Sequence, residues 1–227
     1  MEKYIKKNSD KAKKKYESYF IHDKPLHVLE PLSNPVDLNY VTSKIEERLP
    51  STLLRNFDNI YVGRFEELVP RKYKFNALYK DRTIYASADQ DNEEDLIDDL
   101  IHEIAHSLEE SESPTVYDDG SLEREFLGKR KALYHELPRD KRAELFFFLN
   151  PDYEANFDLY LYKTLGYDAL RTVSANMFYS PYAITSLREY WANGFENYFL
   201  GDRQKLKDLS PVLYNKILTV IENNKEK

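Results

Sequence analysis

The sequence predicts an α+β fold, with a small sheet in the N-terminal half and helices through the remainder. Residues Lys74 to Ala88 read as two short strands joined around Lys80, Asp81 and Arg82, and Asn59 to Val62 reads as a further strand of the same sheet. From Asp91 onward apolar residues recur at helical spacing. At 227 residues and 41% hydrophobic composition the chain can bury a full core, and no long Gly/Ser linker or internal repeat divides it. One domain over residues 21–227, preceded by an extension over residues 1–20, is the expected organisation.

That extension carries Lys3, Lys6, Lys7, Lys11, Lys13, Lys14 and Lys15 without an apolar h-region, so no signal peptide is read from it. A solvated, frayed helix is the plain expectation for it, and an arm for an anionic surface the sharper one. No run of about 18 apolar residues exists to span a membrane. Cytoplasmic location is the default, with secretion the alternative if a signal peptide has been removed. The absence of Cys excludes disulfides and thiolate metal ligands. His22 and His27 fall in an irregular Pro-containing stretch and read as surface residues.

The first strongly periodic helix holds Leu96, Ile97, Leu100, Ile101, Ile104, Ala105 and Leu108, and the acids Glu93, Glu94 and Asp95 stand where a helix N-terminus favours negative charge. Within it lies His102-Glu103-Ile104-Ala105-His106. A rise of about 1.5 Å and a turn of about 100° per residue bring positions i and i+4 onto one face, so one metal ion can take both imidazoles. Glu103 projects beside the pair, where it can accept a proton from an activated water. This is a minimal zinc-hydrolase pattern, with one Zn2+ expected per chain.

Such a site needs a third protein ligand and keeps a further position open. His135 is the one remaining downstream histidine, and its surroundings read as surface or packing. A carboxylate is the better candidate. Thr185 to Phe199 reads as a second helix whose Leu187, Trp191, Phe195 and Phe199 form an inward stripe, with Glu189 and Asn193 sharing another face. Glu189 sits among apolar and aromatic neighbours, where a metal would offset the cost of a buried carboxylate. Glu196, about two turns on, is the runner-up.

Residues 117–180 read as a helical insertion between these helices. Leu122 to Leu137, Arg142 to Leu149, Asn156 to Leu165 and Tyr167 to Tyr179 are the expected segments, with a break at Asn150-Pro151. Their aromatic residues are expected mainly in the core, and the insertion is the natural place for substrate selection. Leu209 to Ile221 closes the chain as an amphipathic helix.

Taken together, the His-Glu-x-x-His helix, Tyr182, and Glu189-Tyr-Trp-Ala-Asn-Gly-Phe195 seven residues after it resemble the gluzincin metallopeptidases, most of all the lethal-factor and Pro-Pro endopeptidase type. The resemblance implies a zincin-like domain with an edge strand packed on the metal helix and holding an extended peptide. It implies His102, His106 and Glu189 as metal ligands, Glu103 as general base, and Tyr182 as the donor to the oxyanion. Asn193 stands where many relatives carry an acid that orients a metal-bound His; an Asn oxygen can still accept from an imidazole N–H. The span from His106 to Glu189 is longer than in the lethal-factor domain.

The net charge of −7 is unevenly placed, with acids from Asp89 to Asp99 before the His pair and from Glu109 to Glu123 after it. Such a field attracts cations, whether a metal or a basic peptide, and disfavours nucleic acid. The expected activity is zinc-dependent endopeptidase chemistry on a protein or peptide substrate. The alternative is a zincin-fold binding or structural module with little or no proteolysis.

Overall fold

The computed structural model describes residues 17–68 and 76–225, which fall into two compact units, one up to Ser107 and one from Leu108 onward. The boundary lies inside a single 25-residue helix, α2 (Glu93–Tyr117), which therefore belongs to both. The fold is α+β, with a small mixed sheet and a majority of helix.

The first unit is built on a five-stranded sheet: β1 (Glu17–Ile21), β2 (Lys24–Val28), β3 (Asn59–Gly63), β4 (Ala77–Lys80) and β5 (Thr83–Ser87), in the order β1-β2-β3-β5-β4. The β1/β2 and β4/β5 pairs are antiparallel, whereas β2/β3 and β3/β5 are parallel. Alternation buries Leu26, Ile60, Val62, Ile84 and Ala86 completely. The helix α1 (Leu38–Arg48), capped by Asp37, adds Val41 and Ile45 to this core.

The expected strands over Asn59 to Val62 and on either side of Asp81 are β3, β4 and β5. Two expectations change. The first concerns residues 17–20, expected in the basic extension, which belong to β1; residues 1–16 lie outside the described residues. The second concerns His22 and His27, which sit in and after the turn of the β1/β2 hairpin and not in irregular chain. Pro25 argues against a strand because it lacks an N–H. Here the pairing with β3 begins only at Leu26, so the missing donor is not required on that side.

The second unit is helical. After α2 come α3 (Ser121–Glu136), α4 (Leu145–Phe148), α5 (Ala155–Tyr160), α6 (Tyr167–Val173), α7 (Leu187–Leu200), α8 (Arg203–Leu209) and α9 (Pro211–Lys225). Helix α9 packs on α3 and α7. Arg142 to Leu149 forms only the single turn α4. The Arg142 guanidinium donates back to the carbonyls of Leu137 and His135, at 2.9 and 2.6 Å, and Glu144 is extended, so the segment folds over the end of α3 instead of continuing as helix. The helix expected to reach Tyr179 stops at Val173, where the Ser174 hydroxyl donates to the Leu170 carbonyl at 2.7 Å. Phe126, Phe148, Phe157 and Phe178 are core residues, whereas Phe146 is 57% exposed. No described helix is long and apolar enough to cross a membrane.

Candidate metal centre

Helix α2 begins with Asn92, whose side-chain oxygen accepts the Asp95 N–H at 3.1 Å, followed by Glu93, Glu94 and Asp95 against the N-terminal dipole. Leu96, Ile97, Leu100, Ile101, Ile104 and Ala105 are fully buried, which fixes the rotation of the helix about its axis. The imidazoles of His102 and His106 consequently lie with ring centroids 5.0 Å apart and planes at 74°. Glu103, between them in sequence, is 7% exposed, and its carboxylate accepts the Tyr79 N–H at 2.6 Å.

Tyr79 belongs to β4, the strand at the end of the sheet order. Among the described residues β4 is therefore the edge strand beside α2, and Glu103 takes one of its N–H groups. Strand β5, which leads into α2, is interior, between β3 and β4. One turn before His102, burial pushes the Asp99 carboxyl up to about 7, and Glu103 adds to the rise. The Gln90 side-chain amide, donating at 3.0 Å, and His102 act in the opposite direction.

Helix α7 is capped by Ser186, whose hydroxyl oxygen accepts the Glu189 N–H at 3.2 Å. Its entry is fixed by the Leu187 N–H donating to the Pro151 carbonyl at 2.8 Å. Arg188 donates twice to Glu109, at 2.6 and 2.9 Å, and Tyr117 donates to the same carboxylate. On the other side of Glu189 in sequence, the Tyr190 hydroxyl donates to Glu125 at 2.9 Å and accepts from Lys129 at 2.6 Å. Glu189 is thus flanked by two anchored residues.

Tyr182 opens a single 3-10 turn, Tyr182–Ile184, just before this helix. Its phenol is raised well above the ordinary tyrosine range by burial first and by Glu189 and Asp158 next, so it stays a neutral donor. Asp158, 9% exposed, accepts hydrogen bonds from Tyr153 at 2.9 Å and Tyr167 at 3.4 Å. Asn193, one turn after Glu189, is buried, and its Oδ1 has no hydrogen-bond partner among the described residues.

Among the described residues, His102, His106 and Glu189 each offer one ligand atom, and these atoms all lie within 4.8 Å of one another. The group can hold a metal ion. Two imidazoles and a carboxylate are a donor set suited to zinc. Zinc bonds of about 2.0–2.1 Å in a tetrahedron require donors roughly 3.3 Å apart, an adjustment within the reach of side-chain torsions. Neither Glu196 nor His135 belongs to the group, and His135 is exposed in the last turn of α3.

Sequence reasoning did not find the Tyr79 N–H on Glu103 or the Glu109 anchor for Arg188. Their partners are 24 and 79 residues apart, and no local pattern encodes either pairing. Compared with protein-family models, curated proteins and solved structures, the chain finds no match.

Proposed function

We propose that this chain is a zinc-dependent endopeptidase with a zincin-type catalytic site. The observation that carries the reading is the gathering of His102, His106 and Glu189 around one point, with Glu103 on the helix that supplies both imidazoles. A zinc ion held by these three would supply Lewis acidity, bringing the pKa of a water towards neutrality.

The remaining chemistry falls to the chain's own groups. Glu103 takes the water's proton as the oxygen attacks the peptide carbonyl; the C–N bond then breaks and Glu103 passes that proton to the departing amine. The Tyr79 N–H orients the Glu103 carboxylate for this exchange. Tyr182 donates its phenolic proton in a hydrogen bond to the oxyanion that develops. Asn193 Oδ1 is an acceptor of the kind that steadies an imidazole ligand through its second N–H. The edge of β4 supports binding of an extended peptide by main-chain hydrogen bonds.

Zinc content per chain, measured beside cleavage of casein with and without a chelator, tests the reading. One zinc per chain in the wild type, its loss in Glu189→Ala, and cleavage abolished by the chelator are the expected results. A wild type that takes up no zinc when zinc is supplied would overturn the ligand set. Zinc without cleavage would point instead to a binding or structural module.

A further inference from the structure

A second polar site lies in the first unit, at the β1/β2 end of the sheet order, opposite the β4 end whose Tyr79 bonds Glu103. His22, Asp23, Lys24, Ser51, Thr52 and Arg55 line a cleft of about 400 Å³, a size typical of small-ligand sites. Its walls are the tip of the β1/β2 hairpin and the single 3-10 turn Ser51–Leu54. They are fastened to the same stretch of chain. His22 adopts φ +55°, uncommon for a residue other than glycine, and is held there by its N–H to the Glu46 carboxylate and by its ring Nε2 donating to the Leu49 carbonyl at 2.9 Å.

Beyond His22, the side-chain donors along these walls make no hydrogen bond among the described residues. The Lys24 side chain is only 15% exposed, yet its nearest acid, Asp23, stands 3.6 Å away, beyond hydrogen-bonding distance, and points outward at 74% exposure. The Lys24 ammonium also lies over the Phe57 ring, 5.9 Å from the centroid, so its electrostatic partners leave its hydrogen-bond donors to a ligand. The Arg55 guanidinium makes no ion pair or hydrogen bond among the described residues, although its backbone carbonyl accepts from Arg82 at 3.2 Å. The hydroxyls of Ser51 and Thr52 have no hydrogen-bond partner there either. Asp58, the other acid near Lys24, is engaged by Arg82 at 2.9 and 3.0 Å.

From this arrangement we propose that the cleft binds a small phosphomonoester, its phosphoryl group held by Lys24, Arg55 and the Ser51 and Thr52 hydroxyls. A carboxylate has two oxygens to offer. An ammonium, a guanidinium and two hydroxyls together supply more donors than two oxygens can accept, whereas a phosphoryl group presents three charged oxygens. The cleft is larger than a phosphate ion, so its remaining volume takes the organic moiety. A polynucleotide is disfavoured by the chain's net charge of −7.

Calorimetric titration of the full chain with ribose 5-phosphate, inorganic phosphate and acetate, at fixed ionic strength, tests the site. Ribose 5-phosphate is expected to bind more tightly than inorganic phosphate, and acetate not measurably. Arg55→Ala and Lys24→Met should each weaken ribose 5-phosphate by about tenfold or more, the usual effect of removing a charged hydrogen-bond donor. Arg55 is exposed, so its variant keeps the fold even if Lys24→Met does not. Binding no stronger than acetate, or unchanged in Arg55→Ala, would overturn the proposal; equal affinity for inorganic phosphate and ribose 5-phosphate would overturn its ester part.

Discussion

The segment of α2 that carries His102 and His106 and the start of α7 that carries Glu189 both rest on buried apolar residues, Trp191, Ala192 and Phe195 in the second case, but differ in what fixes the site residues themselves. In α2 the anchor is apolar: Leu96, Ile97, Leu100, Ile101 and Ile104 are completely buried, and the spacing of the two imidazoles is a property of the helix itself. In α7 the residues on either side of Glu189 are anchored by charge. Arg188 is bound to Glu109, and Tyr190 to Glu125 and Lys129. On the proposed function, a pair of ligands fixed by the geometry of one hydrogen-bonded helix tolerates changes in its surroundings. A ligand placed by side-chain networks responds to pH and to mutation of residues that never touch a metal.

The largest effect expected on this comparison falls on the α2 side. Glu103→Ala should keep zinc, because the imidazole spacing does not depend on it, while hydrolysis falls by roughly 10²–10⁴-fold, the usual contribution of a general base. Zinc retention with turnover as fast as the wild type would remove Glu103 from the chemistry.

The next effect concerns the charged anchor of α7. Burial lowers the Lys129 ammonium to about 8, against the attraction of Glu125, while it donates to Tyr190 and to Ser210, both at 2.6 Å. The folded chain therefore releases this proton more readily than the unfolded chain. Below about pH 8 both forms are charged and the burial cost is fully borne. As pH rises from there to the unfolded lysine value of about 10.4, the unfolded state holds the extra proton and this group's contribution to stability rises, by at most about 3 kcal/mol. Urea unfolding of the wild type and Lys129→Met at pH 7, 9 and 10 measures it. The difference between the two should change with pH in that direction; parallel profiles would mean that Lys129 is not desolvated in solution.

The same contrast explains what the sequence discloses. The His pair, the strands over Asn59 to Val62 and around Asp81, and the helix bearing Glu189 all rest on short-range periodicity, and all are present. Helix α1 was missed although Asp37 caps a Leu38, Val41, Thr42, Ile45 stripe, a signal of the same kind. The β1/β2 hairpin was hidden by Pro25, whose penalty depends on which neighbour needs its N–H. Polar anchors such as Glu125, which accepts the Val212 and Leu213 N–H groups at 2.8 and 3.1 Å, join residues nearly ninety positions apart and leave no local trace.

The smallest effect expected is the most specific to the arrangement of α7. Arg188 is 66% exposed, so as a surface ion pair it should matter little to global stability, and Glu109, 10% exposed, keeps Tyr117 as a donor in its absence. Its consequence should appear at the metal. Without Arg188 the first turn of α7 loses its tie to Glu109, while the Ser186 cap and the Leu187 bond to Pro151 remain, so Glu189 is less firmly presented but not lost. Arg188→Ala is expected to weaken zinc binding by about tenfold, the lower end for groups that orient a ligand indirectly, with little change in thermal midpoint. Competition of wild type and variant against a chromogenic zinc chelator measures this directly. Equal affinity would mean that the cap and the Pro151 bond suffice to hold Glu189, and α7 would then be as self-determined as α2.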